Sequence, residues 1–271
     1  MIDIPATSAL TNRPAADVLG LLDAALALQV LVRRGASFEF RHDLLREVLE
    51  DDLPLVERAA LHLRIAQYRE ATTPDRLSDI ARHRLAALPL GDPTAALVAA
   101  EAAAVVAVQG LAAEDAASWY EQALAVAESS VDRGRLLLGA GRAWFLSGQR
   151  DRAIERCVEA AELAQRAGDA DRLARAALAL PESPDVRWLP LVRSWCESAL
   201  AGLPEADSAL RAQVLAQLAL TDIFIPESSR LLDLSAQALA MAERMTMPCG
   251  SHCGPGRSPA PLRKVRQSGG H

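Results

Sequence analysis

A chain of 271 residues with 51% hydrophobic content can bury a core, so disorder throughout is excluded. The net charge of −6 argues against a surface devoted to neutralising phosphates, and the lone lysine, Lys264, lies in no G-x-x-x-x-G-K-[ST] string that could form a phosphate-binding loop. Aromatic residues make up only 4%; the apolar content is mostly Ala and Leu, good helix formers that pack at short distance, so the expected class is all-α with one small β element near the start.

Cys157, Cys196, Cys249 and Cys253 are too few and too scattered for a disulfide framework, and a reducing cytoplasm is the simpler setting. Met1 to Pro5 has neither the basic nor the apolar region of a secretory signal. The longest Ala/Val/Leu run, 95–113, is broken by Glu101, Gln109 and Gly110 and falls short of the roughly 20 strongly apolar residues a membrane span needs. The expectation is a cytoplasmic chain with no membrane segment.

In chain order, residues 1–16 carry Pro5, Thr7, Ser8, Thr11, Asn12 and Pro14 and read as a disordered lead-in, with Asp17 available to cap a helix from Val18. Val30 to Phe40 holds two short β-prone runs around Arg34-Gly35-Ala36-Ser37, a hairpin signal. A helix from His42 follows, and Leu53-Pro54 marks the start of the next, which closes at Thr72-Thr73-Pro74. Residues 17–72 thus read as a winged-helix-like unit and its following helix.

From 75 to 245 an internal repeat appears. Ala123, Ala160, Ala199 and Ala238, each in an Ala-rich helical string, recur at steps of 37, 39 and 39 residues, a length that fits two helices and two turns, so the units should stack as helical hairpins. One unit reads almost position by position: Leu137, Ala140, Gly141, Trp144, Gly148, Ala153, Cys157 and Ala160. Small residues at 140, 141, 153 and 160 let paired helices approach, Trp144 fills the space between them, and Gly148 marks the turn. Ala104 and Ala219 replace the helix glycine in other units. Residues 246–271 turn to Gly, Pro, Ser and Arg without periodicity, read as a disordered tail, and raise the hypothesis of an interrupted reading frame.

That spacing resembles the tetratricopeptide repeat. The segment Phe38 to Glu70, with Arg82 to Ala87 and Ala116 to Glu128 behind it, resembles the region downstream of the ATPase in large ATP-binding regulators of the LuxR type, among the signal-transduction ATPases. In that family a winged helix ends in F-x-F-x-H-x-L-x-R-E, matched here by Phe38, Phe40, His42, Leu44, Arg46 and Glu47. The resemblance covers about residues 17–245. It implies a P-loop ATPase before this region and a DNA-binding helix-turn-helix after it; neither lies within these residues, so ATP and promoter binding belong to the full-length family member. No cofactor is expected in this chain.

By analogy with related switch ATPases, His42 could sense a nucleotide if an ATPase module is present; alternatively it packs or caps locally at a helix start. Arg41 and Arg46 with Glu47 and Glu50 read as surface ion pairs. Arg33 and Arg34 would be a wing tip, thin evidence for DNA binding. Trp119, Trp144, Trp188 and Trp195 read as repeat core, with peptide binding as the alternative. Cys249, His252 and Cys253 cluster, yet zinc would want a fourth ligand and an ordered loop. No nucleophile elbow, H-E-x-x-H helix or dinucleotide-binding glycine string is present, so no catalytic residue and no metal site is assigned. The expected role is a non-catalytic sensor and interaction fragment whose groove holds an inducer or protein partner, with a P-loop ATPase module as a possible second partner. A free-standing tetratricopeptide scaffold and a DNA-binding winged helix are the alternatives.

Overall fold

The computed structural model describes residues 2–35, 37–180, 188–223 and 230–246, and over these the chain is all-α apart from one hairpin. The first unit runs α1 (Ile4–Thr11), α2 (Ala15–Ala27), β1 (Leu31–Arg34), β2 (Ser37–Phe40) and α3 (Asp43–Asp51). The expected hairpin is in place, antiparallel with Leu31 opposite Phe40 and Arg34 opposite Ser37. Leu31 and Phe38 pack on Val18 and Leu22 of α2, a core of four buried side chains.

Residues 4–11 depart from the expected disordered lead-in. Pro5 was read as a loop signal, but it lies in the first turn of α1, where its missing N–H costs nothing. The Ile2 N–H then donates to the Phe38 carbonyl at 2.6 Å, tying the chain's start to the hairpin. The helix expected from Val18 begins earlier, at Ala15, so Asp17 falls inside its first turn, and the N-cap position is held by Pro14 without a side-chain cap.

Ten helices follow among the described residues: α4 (Leu55–Thr72), α5 (Leu77–Ala86), α6 (Pro93–Gln109), α7 (Ala113–Val126), α8 (Ser130–Leu146), α9 (Arg150–Ala167), α10 (Ala170–Leu178), α11 (Leu189–Gly202), α12 (Ala209–Asp222) and α13 (Arg230–Thr246). Each packs on the next, and α10 also packs on α8 and α12, so the even-numbered helices from α8 form one wall of a stack of hairpins. One continuous core runs from Leu97 to Met241. The repeated alanines fall on successive odd-numbered helices and are all buried: Ala123 on α7, Ala160 on α9, Ala199 on α11 and Ala238 on α13.

Helix starts alternate with the same period. Asp92 accepts from the Thr94 N–H ahead of α6, Ser129 from Asp132 ahead of α8, Asp169 from Arg172 ahead of α10, and Ser208 from Arg211 ahead of α12. Their partners α7, α9 and α11 begin without a side-chain cap. Each such cap stabilises its helix by about 1 kcal/mol, and from α6 to α12 the caps mark the first helix of each hairpin, whereas α4 has none.

Leu137, Ala140, Ala153 and Ala160 are fully buried, and Trp144 is 8% exposed. A Cβ on Gly141 would stand 2.6 Å from Cys157 Sγ, so only glycine lets α8 and α9 close here. Gly148 makes the turn at φ +82°, a region open to glycine. Burial holds the Cys157 and Cys196 thiols protonated, with pKa pushed up to about 12 for each, so both act as small core hydrophobes. The tail residues Cys249, His252 and Cys253, and the question of reading frame, lie outside the described residues.

Candidate functional site

A groove of about 1000 Å³ opens along the wall formed by α8, α10 and α12. Its floor is apolar, from the half-buried Leu138 and Phe145 of α8, Leu178 of α10 and Leu210 of α12. Its rim is cationic, with Arg135 and Arg142 two turns apart on α8 and Arg172 and Arg175 on α10, against Asp169 and Asp171. In a chain of net charge −6, this is a local reversal of sign.

Two glycines of α8 shape that groove. A Cβ on Gly139 would lie 2.5 Å from Tyr120 Cε1, and one on Gly134 would lie 2.8 Å from Arg172 Cδ. Tyr120 therefore lays its ring across α8 from the preceding hairpin, and Arg172 reaches across it from the following one. Burial raises the Tyr120 pKa, opposed by the nearby Arg142 charge, so the phenol stays a hydrogen-bond donor at neutral pH.

The arginines differ in what holds them. Arg172 pairs with Asp169 at 3.4 Å, Arg175 with Asp171 at 2.8 Å, and Arg135 with both Asp132 at 3.0 Å and Glu101. Arg142 is exposed and has no hydrogen bond or ion pair among the described residues.

Behind the groove, Glu121 of α7 joins three helices through one oxygen. Trp144 Nε1 donates to Glu121 Oε1 at 3.0 Å, and Arg156 Nε of α9 donates to the same atom at 2.8 Å. Arg152 lies 4.6 Å over the Trp144 ring. Trp144 is thus wedged and bonded as repeat core. Trp195 is buried too, and Trp119 and Trp188 pack against the same core.

His42 stands at the N-cap of α3, exposed, and its side chain makes no cap hydrogen bond. Arg46 pairs with Glu50 at 3.0 Å and Glu47 at 3.7 Å, Arg41 donates to Gln29, and Arg34 lies 3.8 Å from Glu39. These are exposed contacts, each worth at most a few tenths of a kcal/mol to about 1 kcal/mol. The motif residues therefore occupy one exposed helix face and its hairpin, and none of them lines the groove.

A histidine pair links this unit to the stack. Glu50 Oε1 of α3 lies 3.4 Å from His62 Nε2 of α4, and His62 Nδ1 lies 2.9 Å from His83 Nδ1 of α5. Burial, helped by the charges of His62, Arg82 and Arg69 and opposed by Asp79, lowers the His83 pKa to about 4. Sequence reading passed over both rings because nothing local signals a contact 21 residues apart. No group of three or more His, Cys, Asp or Glu among the described residues is placed to hold a metal ion, and no described helix is long and apolar enough to cross a membrane.

The described site is thus a groove on a stack of helical hairpins. No family model matches the chain, and no curated protein does. Among solved structures the chain is similar to the crystal structure of BtubC (BKLC) from P. vanneervenii, at 18% identity and a TM-score of 0.53, over 83% of this chain and 94% of that one. At that identity the likeness shows the helical fold alone.

Proposed function

We propose that this chain is the non-catalytic sensing and interaction arm of a LuxR-type ATP-binding transcriptional regulator, holding an inducer or a protein partner in the groove of its helical stack. The observation that carries the reading is the order of parts: the Phe38 to Glu47 motif sits on a hairpin and helix, directly followed by the grooved stack. Such grooves bind because stacked hairpins present an extended concave wall. The exposed apolar residues Leu44, Val48 and Leu49, on a helix with no buried residue, suit docking of a P-loop module against α3.

Incubating the isolated protein with ATP tests the non-catalytic part. Phosphate release should match that of buffer, and a rate well above it would sink the reading. A free-standing scaffold is the second reading, favoured by the groove alone. It predicts partner binding that no ATPase module alters, whereas the regulator reading predicts that a P-loop module supplied with the chain binds α3 and changes the groove's affinity.

A further inference from the structure

We infer that α3 is the docking face for a basic amphipathic helix of a partner protein. The inference rests on the reading of α3 as a docking face and deepens it by giving the chemistry of what docks. The helix is set apolar side out. What ties it to α4 is polar: Glu50 Oε1 lies 3.4 Å from His62 Nε2, and Arg58 Nη1 donates to Asp51 Oδ1 at 3.1 Å, while α3 buries no residue of its own. Leu44, Val48 and Leu49 stand half or more exposed, and past the turn at Leu53-Pro54 so do Leu55 and Val56. Water ordinarily receives the polar side of an amphipathic helix, so this inversion fits a surface that a second molecule covers.

Spacing selects a helix as the occupant. Leu44 and Val48 form one four-residue row on α3 and Leu45 and Leu49 a second beside it, and the furrow between two such rows receives the side-chain row of another helix. Charge selects its sign. From Asp43 to Arg58 the chain carries six carboxylates against two arginines, and both arginines are already held, Arg46 by Glu50 at 3.0 Å and Glu47 at 3.7 Å, Arg58 by Asp51 at 3.1 Å. Asp43, Asp52 and Glu57 are exposed and hold no ion pair among the described residues. A second copy would bring the same acidic rim against this one, and an anionic lipid surface or a nucleic acid would be repelled in the same way. A helix with lysine or arginine flanking an apolar stripe answers both the rows and the rim. The cationic rim of the groove on α8 and α10 repels such a helix, so the two surfaces sort partners by sign.

The test uses the full chain and fluorescence anisotropy with labelled peptides of about 15 residues, the length at which an isolated helix begins to hold. One carries leucine at every third or fourth position with lysine beside it; in a second, glutamate replaces the lysine, and in a third, serine replaces the leucine. The lysine–leucine peptide should bind, each altered peptide should bind about tenfold or more weakly, and added salt should weaken the first. Leu44→Ser with Val48→Ser should lower its affinity about tenfold, and Asp43→Asn with Asp52→Asn about threefold, with far-UV dichroism and melting little changed because all four side chains are exposed. Undiminished binding by the Leu44→Ser, Val48→Ser variant would place the peptide elsewhere and overturn the inference. Equal binding of the lysine and glutamate peptides, both lost in that variant, would overturn the basic chemistry and leave the docking face standing. A chain whose mass by light scattering is doubled, and single in that variant, would give the face to a second copy and overturn the inference too. No binding by any peptide would remove it, while phosphate release from ATP tests the sensing-arm reading separately.

Discussion

The two halves of this molecule solve the problem of burial differently. In the first unit, four side chains, Val18, Leu22, Leu31 and Phe38, make the whole buried core, and α3 buries nothing. In the stack, every helix from α6 to α13 contributes to one core that passes from hairpin to hairpin. Each hairpin there supplies half the cover its neighbour needs, which is why repeats can use a side chain as small as alanine. The first unit has no such neighbour on its outer side, and Leu44, at 68% exposed, shows the result. One half passes its core from hairpin to hairpin; the other leaves the outer face of α3 in solvent.

Breaking the stack gives the largest effect. Trp144→Ala removes a large core side chain and the Glu121 hydrogen bond, and should cost about 3–5 kcal/mol in urea unfolding, spread over several hairpins because the core is continuous. Phe38→Ala removes a comparably buried ring from the small core, yet hydrogen exchange should show lost protection only in residues 2–52, with α8 and α9 unchanged. If both substitutions melted the whole chain together, the two halves would be one cooperative unit and the contrast would fail.

A smaller effect sharpens the joint between the halves. The His83 pKa is lowered from 6.5 to about 4, so the unfolded chain takes up this proton first. The contribution to stability is fully present above about pH 6.5 and is lost as pH falls toward 4. Urea midpoints measured across that window should decline in the wild type and decline less in His83→Gln; identical slopes would mean the pair carries no linkage.

The smallest effect is expected on the outer face. Replacing Leu44 and Val48 by serine should change stability by no more than about 0.5 kcal/mol each, since both side chains are already in water. A clear gain in solubility without a change in melting would fit a face that awaits cover. A loss comparable to the Phe38 variant would show that α3 is packed after all.

Much of the architecture was legible because it depends on local spacing. The turn at Gly148, the hairpin around Gly35 and the break at Pro54 follow from neighbours within a turn or two, and the alanine period shows as one short string repeated along the chain. Helix α1 was missed because Pro5 signals a loop and a helix start alike, and only the long-range bond from Ile2 to Phe38 decides between them. The groove was foreseen as a concave face but not as a charged one. Arg135 and Arg142 sit on an exposed helix face where arginines ordinarily serve solubility, and their meaning depends on Arg172 and Arg175 arriving from another hairpin. Glu121 escaped notice for the same reason: its partner Arg156 is 35 residues away.

The glycines of α8 set stiffness against shape. Glycine inside a helix is worth roughly 1 kcal/mol less than alanine, so a programme of heat-hardening would begin by replacing Gly134 and Gly139. Each replacement would favour the helical backbone while driving a methyl group into Arg172 or Tyr120. At Gly139 the clash with the buried Tyr120 ring would offset that gain, so variants selected only for endurance would be expected to keep this glycine and, with it, the shape of the wall.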